Sequence, residues 1–240
     1  MRKNKQLLSL YAILMVLSYS QTFSQTGSSN AETLTVIEKM AVFKQIIISD
    51  SNQKMINIQI LIPALVLDLR YATANNFVHQ NLYPAKTNFT FLRLPVAKEL
   101  QKVQQELNTK GLGLKIFDAY RPYSVTKKFW ELIHDERYVA NPAKGSGHNR
   151  GITVDLTIIN LQTGIELNMG TGFDNFTDSA HHSFTDLSSD ILNNRKLLKE
   201  IMEKYGFIKM NTEWWHYSWP HPEKFDVLNL SFKELKKATD

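Results

Sequence analysis

The chain has 240 residues, 43% of them hydrophobic and 21% charged, with a formal net charge of +5 and no cysteine. That is enough for one large domain with a proper core, and it leaves room for two. Without cysteine there are no disulfides and no thiolate ligands, so any metal site must be built from His, Asp and Glu.

The amino end reads as a leader. Arg2, Lys3 and Lys5 precede LLSLYAILMVL, an apolar run too short for a transmembrane helix and suited to a secretory signal. Small residues allow cleavage before Gln21 or before Gln25. We expect residues 1–24 to be a signal peptide and 25–240 to be one exported, periplasmic domain with no stable membrane insertion after cleavage. An uncleaved amino-terminal anchor is the competing reading, and a bacterial lipid anchor is excluded because a lipobox needs cysteine. Removing Arg2, Lys3 and Lys5 takes the formal charge from +5 to +2. No block of Lys and Arg then remains to track phosphates, so nucleic acid is not an expected partner.

Residues 25–33 (QTGSSNAET) read as a flexible start. The segment from Leu34 to about Ile62 is ambiguous, with IIIS and INIQILI read as short strands. LVLDLRYATANNF, from Leu65 to Phe77, reads as a strand end running into a loop. In VAKELQKVQQELNTKG, Val96, Leu100, Val103 and Leu107 recur at helical spacing and Gly111 stops the run, which predicts an amphipathic helix. LGLKIFDAYRP reads as a strand ending at Arg121-Pro122, where the residue before proline is pushed towards extended geometry. Ser124 is the expected cap of a second helix reaching about His134, with Phe129, Leu132 and Ile133 inward. GITVDLTII alternates, with Ile152, Val154, Leu156 and Ile158 on one side and Thr153, Asp155 and Thr157 on the other. A loop from about Gly164 to Ser188 leads to a third helix, about Asp190 to Tyr205, capped by Gly206. GFIKMNTEWWHYSW reads as a strand pair or a turn into a strand. The mixture lacks regular βαβ alternation. It predicts an α+β fold, a single domain with a central, mostly antiparallel sheet flanked by helices.

Asp155 is the oddity. A carboxylate on that strand, flanked on its own face by two threonines, implies a face that points into something wet or charged; a solvated edge strand is the alternative. His148 lies seven residues earlier, and Gly151 lets the chain fold it back over that face. An imidazole and a carboxylate held so closely suit Zn²⁺. A catalytic zinc site needs a third protein ligand and keeps the fourth position for water. His216 of EWWHYSW is the best candidate, with Glu213 three residues before it as a general base and acid. His181 and His182, beside Asp178, compete for the ligand role.

These blocks resemble a known family, the D-alanyl-D-alanine dipeptidases of the VanX type, zinc peptidases related more distantly to D,D-carboxypeptidases. The resemblance runs from about Asp68 to Trp219 and is carried by DLRYATANNF, DAYRP, SGHNRGITVDLT, MGTGFD and EWWHYSW. It implies that His148, Asp155 and His216 bind one zinc ion and that Glu213 is the general base and acid. It further implies that Arg121 stabilises the oxyanion, that Asp174 receives the substrate's ammonium, and that Ser146 hydrogen-bonds at the edge of the site. The family pattern S-x-H-x-x-G-x-A-x-D has alanine where this chain has Thr153, a small change on the polar face. The expected reaction is zinc-dependent hydrolysis of D-alanyl-D-alanine to two D-alanines. A peptidoglycan D,D-carboxypeptidase or L,D-endopeptidase with the same zinc site is the neighbouring alternative; an inactive wall-binding protein of the same fold is the one from another class. Export would make scavenging or recycling of wall-derived dipeptide the better role, since depleting cytoplasmic dipeptide requires a cytoplasmic enzyme.

Overall fold

The computed structural model describes residues 34–239, so the expected leader and the flexible start lie outside the described residues. A short strand β1 (Val36–Ile37) leads into helix α1 (Met40–Ser49), which takes up the IIIS stretch expected as strand. The helical period wins because Phe43 is buried and Ile46 and Ile47, one turn on, pack against the same core, while Ile48 is left 76% exposed. The INIQILI stretch is also only half strand. Its start belongs to β2 (Met55–Asn57), and the Asn57 side chain then accepts from the Gln59 N–H and caps the single turn α2 (Ile58–Leu61).

As expected, β3 (Val66–Leu67) runs directly into turns and loop. After it, β4 (Phe91–Arg93) pairs antiparallel with β2. Helix α3 (Leu94–Asn108) carries proline in its first turn and buries Val96, Leu100, Val103 and Leu107 completely. β5 (Leu112–Asp118) follows, then α4 (Tyr123–Ile133). Its cap position is Pro122, not Ser124; the Ser124 N–H donates instead to Asn229 Oδ1 at 2.9 Å, so a distant side chain does the capping. Phe129 is buried, but Leu132 faces outward at 46% exposure. The remaining elements are α5 (Gly147–Arg150), β6 (Thr153–Asn160), α6 (Ser189–Lys204), β7 (Ile208–Met210), β8 (Glu213–Ser218), β9 (Val227–Leu228) and α7 (Phe232–Thr239).

The main sheet has the order β3-β5-β6-β8-β7, with only β3 and β5 parallel. The fold is α+β with a mostly antiparallel sheet. A second small sheet joins β1 to β9 in parallel, so the two ends of the described chain are clasped together. Val154, Leu156 and Ile158 of β6 face a core shared with α3 and α6. The opposite face of β6 is not solvated, as a wet outer face would require: Thr153, Asp155 and Thr157 are all buried. It faces a cleft whose wall includes Tyr71 and Phe129 of a second, aromatic-rich core.

Arg93 fastens these parts together. It is buried, lies over the rings of Phe43 and Phe225, and donates to the carbonyls of Gln53 (2.6 Å), Arg150 (2.7 Å) and Asp226 (2.9 Å). Burial pushes its guanidinium down to about 10, opposed by Tyr120 and by the Asp226 and Asp50 carboxylates. Among the described residues no helix is long and apolar enough to cross a membrane.

Candidate active site

The segment that carries His148 is one turn of helix, too short to hold itself and therefore fixed from outside. Ser146 Oγ accepts from the His148 N–H at 3.1 Å, and Asn149 Oδ1 accepts from the Ser146 N–H at 3.0 Å, closing a reciprocal cap. The Asn149 side chain donates to the Arg121 carbonyl and to Thr126 Oγ1, both at 2.8 Å. Gly151 ends the turn at φ +70°, where glycine is favoured, and its carbonyl accepts from the Arg93 N–H at 2.8 Å. The chain can then enter β6.

His148 Nδ1 lies 2.8 Å from the Ala119 carbonyl. A carbonyl only accepts, so Nδ1 carries the hydrogen and Nε2 keeps its lone pair. That nitrogen is 3.4 Å from Asp155 Oδ2. Asp155 and His216 are register partners across β6 and β8, which brings His216 Nδ1 to 3.0 Å from Asp155 Oδ1. The three donor atoms lie within 4.8 Å of one another, the one such cluster among the described residues. Asp155 Oδ1 is buried and accepts no hydrogen bond, despite the imidazole nitrogen so close to it. Burial, together with the Arg121 charge, holds both imidazoles below their ordinary range, so both are neutral and bear lone pairs. Burial and the neighbouring Asp118 raise the Asp155 carboxyl well above its ordinary range. Two neutral imidazoles and an orphaned buried carboxylate oxygen converging on one point fit a zinc ion.

Glu213 joins this cluster, its Oε2 3.5 Å from His216 Nδ1. Residues three apart on a regular strand face opposite sides. Here the β7–β8 pairing jumps from Lys209↔Tyr217 to Met210↔Glu213, and the irregularity lets both Glu213 and His216 line the cleft. A second shift, between Ile116 and Asp118, sets Asp118 opposite Asp155. Burial raises the Glu213 carboxyl above its usual range, with His216 opposing. Trp215 lines the cleft, while Trp214 is buried behind it and donates to Thr171 Oγ1.

Arg121 does form the ion pair with Asp118 that its sequence neighbour allows: Nε and Nη2 both donate to Asp118 Oδ2, at 3.1 and 2.7 Å. Asp118 is completely buried and also accepts from Tyr83 OH at 2.5 Å and the Ala119 N–H at 3.0 Å. The guanidinium lies against the rings of Phe129 (4.8 Å) and Tyr71 (5.1 Å), which themselves meet edge to face at 4.9 Å. Burial disfavours its charge, but Asp118, Tyr83, Tyr71 and Asp155 together outweigh that and hold the guanidinium above its usual range. The pair aims the arginine at the cleft and leaves Nη1 without a protein partner among the described residues.

Asp174 sits at φ +59° in the MGTGFD turn and accepts from Tyr71 OH at 3.0 and 3.2 Å. Burial, then the Asp155 charge, raises its carboxyl well above the ordinary range. The cleft encloses about 350 Å³, and all seven residues expected at the site line it: Ser146, His148, Asp155, Asp174, Glu213, His216 and Arg121. Ser146 is placed there chiefly as the cap of the His148 turn. His181 and His182 do not enter the cleft; the His182 N–H bonds the Asn211 carbonyl.

The sequence reading missed the aromatic wall. Phe77 stacks on Phe129 at 5.5 Å, Phe176 meets Phe77 at 5.1 Å, and Tyr138 meets Phe176 at 5.0 Å. Tyr71 and Phe77 lie in DLRYATANNF, a block assigned no chemical role, and only that block's aromatic content hinted at one.

Comparison with known proteins agrees with this geometry. The peptidase M15 family, described as D-ala-D-ala dipeptidase, matches residues 51–236. The D-alanyl-D-alanine dipeptidase of Escherichia coli K12 is 31% identical over 184 residues, 77% of this chain and 93% of that relative. The enzyme of that name from Enterococcus faecalis is 32% identical over 179 residues, 66% of this chain and 89% of the relative. A third, from Streptomyces coelicolor, is 31% identical over 189 residues, covering 69% and 92%.

Proposed function

This chain belongs to the D-ala-D-ala dipeptidase family of zinc metallopeptidases, and on that premise we propose that it hydrolyses D-alanyl-D-alanine to two molecules of D-alanine. The observation that carries the proposal is the convergence of His148, Asp155, His216, Glu213, Arg121 and Asp174 on one small cleft. His148 Nε2, Asp155 and His216 Nδ1 would hold the zinc. When bound there, the ion supplies Lewis-acid chemistry, acidifying a water molecule and polarising the scissile carbonyl. Glu213 takes the proton of the attacking water and hands it to the departing amine; its raised affinity for protons suits both halves of that task. Arg121, pinned through one edge by Asp118, presents its free nitrogen to the oxygen on which negative charge develops. Asp174, steadied by Tyr71, pairs with the substrate's ammonium.

A buried carboxylate waiting for a free amino group distinguishes a dipeptidase from an enzyme that trims longer stems. The test compares free D-alanyl-D-alanine with its N-acetylated form on zinc-loaded protein. The free dipeptide should be hydrolysed and the blocked one should not; equal rates on both would assign the chain to the carboxypeptidase side of the zinc peptidases.

The basic, then apolar, amino end supports action outside the cytoplasm, on dipeptide released from the cell wall. Cell fractionation should place the mature chain in the periplasm, and recovery in cytosol alone would overturn that role.

A further inference from the structure

Thr153 stands where the family pattern carries alanine, and its hydroxyl is fully buried at the junction of the segments that carry the metal ligands. It shares β6 with Asp155, two residues away. Its register partner is Ser218 of β8, the strand of His216, and the two hydroxyls are 2.7 Å apart. On its other side it lies under Gly147, in the turn that carries His148: a Cβ on Gly147 would fall 2.0 Å from Thr153 Oγ1. Ser218 Oγ is in turn 3.4 Å from His216 Nε2.

Binding metal through Nδ1 requires the imidazole hydrogen of His216 to be on Nε2. Ser218 Oγ is the acceptor on that side, and having accepted, it directs its own hydrogen to Thr153 Oγ1. His148 has the corresponding support from a backbone carbonyl, Ala119 O. His216 has none but this hydroxyl chain among the described hydrogen bonds. We propose that Thr153 and Ser218 form a positioning pair that fixes the tautomer and ring plane of His216 and thereby tightens zinc binding. The inference rests on the zinc reading above and adds to it a support built from residues outside the ligand set.

The experiment measures zinc affinity by chelator competition, together with the visible spectrum of the cobalt-substituted protein. Wild type is compared with Thr153→Val, Ser218→Ala, the double variant and Thr153→Ser. Partners of metal-ligating histidines typically change affinity by about tenfold or more, so each hydroxyl-deleting single variant should weaken zinc about tenfold and shift the cobalt bands. The double variant should do no worse than the poorer single, because both cut one chain, and Thr153→Ser should restore binding and spectrum. Ser218 is only partly buried at its strand end, so Ser218→Ala carries the test if Thr153→Val disturbs packing beside Gly147. Wild-type affinity in Ser218→Ala, or a Thr153→Ser variant as weak as Thr153→Val, overturns the pair. A wild-type protein that takes up no zinc overturns the zinc reading itself, and the pair falls with it.

Discussion

Glu213 and His216 share a short stretch of strand and one patch of cleft, yet their tasks separate cleanly. Glu213 touches the ligand cluster through a single 3.5 Å approach and moves protons; His216 holds the ion. Glu213→Ala should therefore keep zinc at full stoichiometry while turnover falls by about 10²–10⁴-fold, the usual scale for losing a positioned base. Metal analysis beside a rate assay checks it, and activity within tenfold of wild type would remove Glu213 from the mechanism. His182 offers a residue-scale test away from the metal. Burial, reinforced by Lys209 and Arg195, pushes its imidazole down to about 4. Its ordinary value is about 6.5, so between those values the unfolded chain binds a proton that the folded chain refuses. Its contribution is intact above about pH 6.5 and is lost as pH falls towards 4; allowing for its partial exposure, the loss is about 1–2 kcal/mol. Urea unfolding with zinc saturating, at pH 7 and pH 4.5, should show a smaller acid loss in His182→Asn than in wild type. Equal losses would refute the assignment.

At the scale of elements, the His148 turn is the vulnerable piece, since four residues of helix depend on their caps. Gly151→Ala must hold alanine at φ +70° and press a methyl to 2.6 Å from Met55 Cε, which can move. The left-handed backbone cost of about 1–2 kcal/mol should appear in urea unfolding, with zinc affinity reduced because His148 lies on the same turn. Unchanged affinity and stability would show that the turn is held without its glycine. Sequence reasoning located this turn and the helix α3 because their signals are local: a glycine at a reversal, and Val96, Leu100, Val103 and Leu107 at helical period. It misread α1, where β-branched isoleucines favour strand and only the burial of Phe43 shows the helical face. It gave no sign of α7, whose FKELKKAT offers few apolar residues. The metal ligands were legible as residues, from the histidine-to-aspartate block and EWWH. The two register shifts that bring Glu213 and Asp118 to the site were not, because a bulge is a property of two strands together.

Over the whole molecule, the inner part of the cleft collects Asp155, Asp174 and Glu213, with Asp118 directly behind, against the Arg121 guanidinium, while Glu136 and Arg137 on the same lining are exposed. Such an excess of buried acid opposes folding until a cation answers it. Zinc at about a hundredfold excess over its dissociation constant should add about 2.7 kcal/mol to stability. Thermal unfolding with zinc and with chelator should show the gap; coincident curves would mean that the cluster does not bind the ion. The clasp of β1 on β9 has a consequence in time. Synthesis proceeds from the amino end, and β1 must wait, unpaired, until every other strand has been made and Val227 and Leu228 emerge. Arg93 waits likewise for the Asp226 carbonyl. β9 is thus what closes this clasp, and a chain cut short before it would leave the ribosome with His148, Asp155 and His216 all present but no finished frame to hold them.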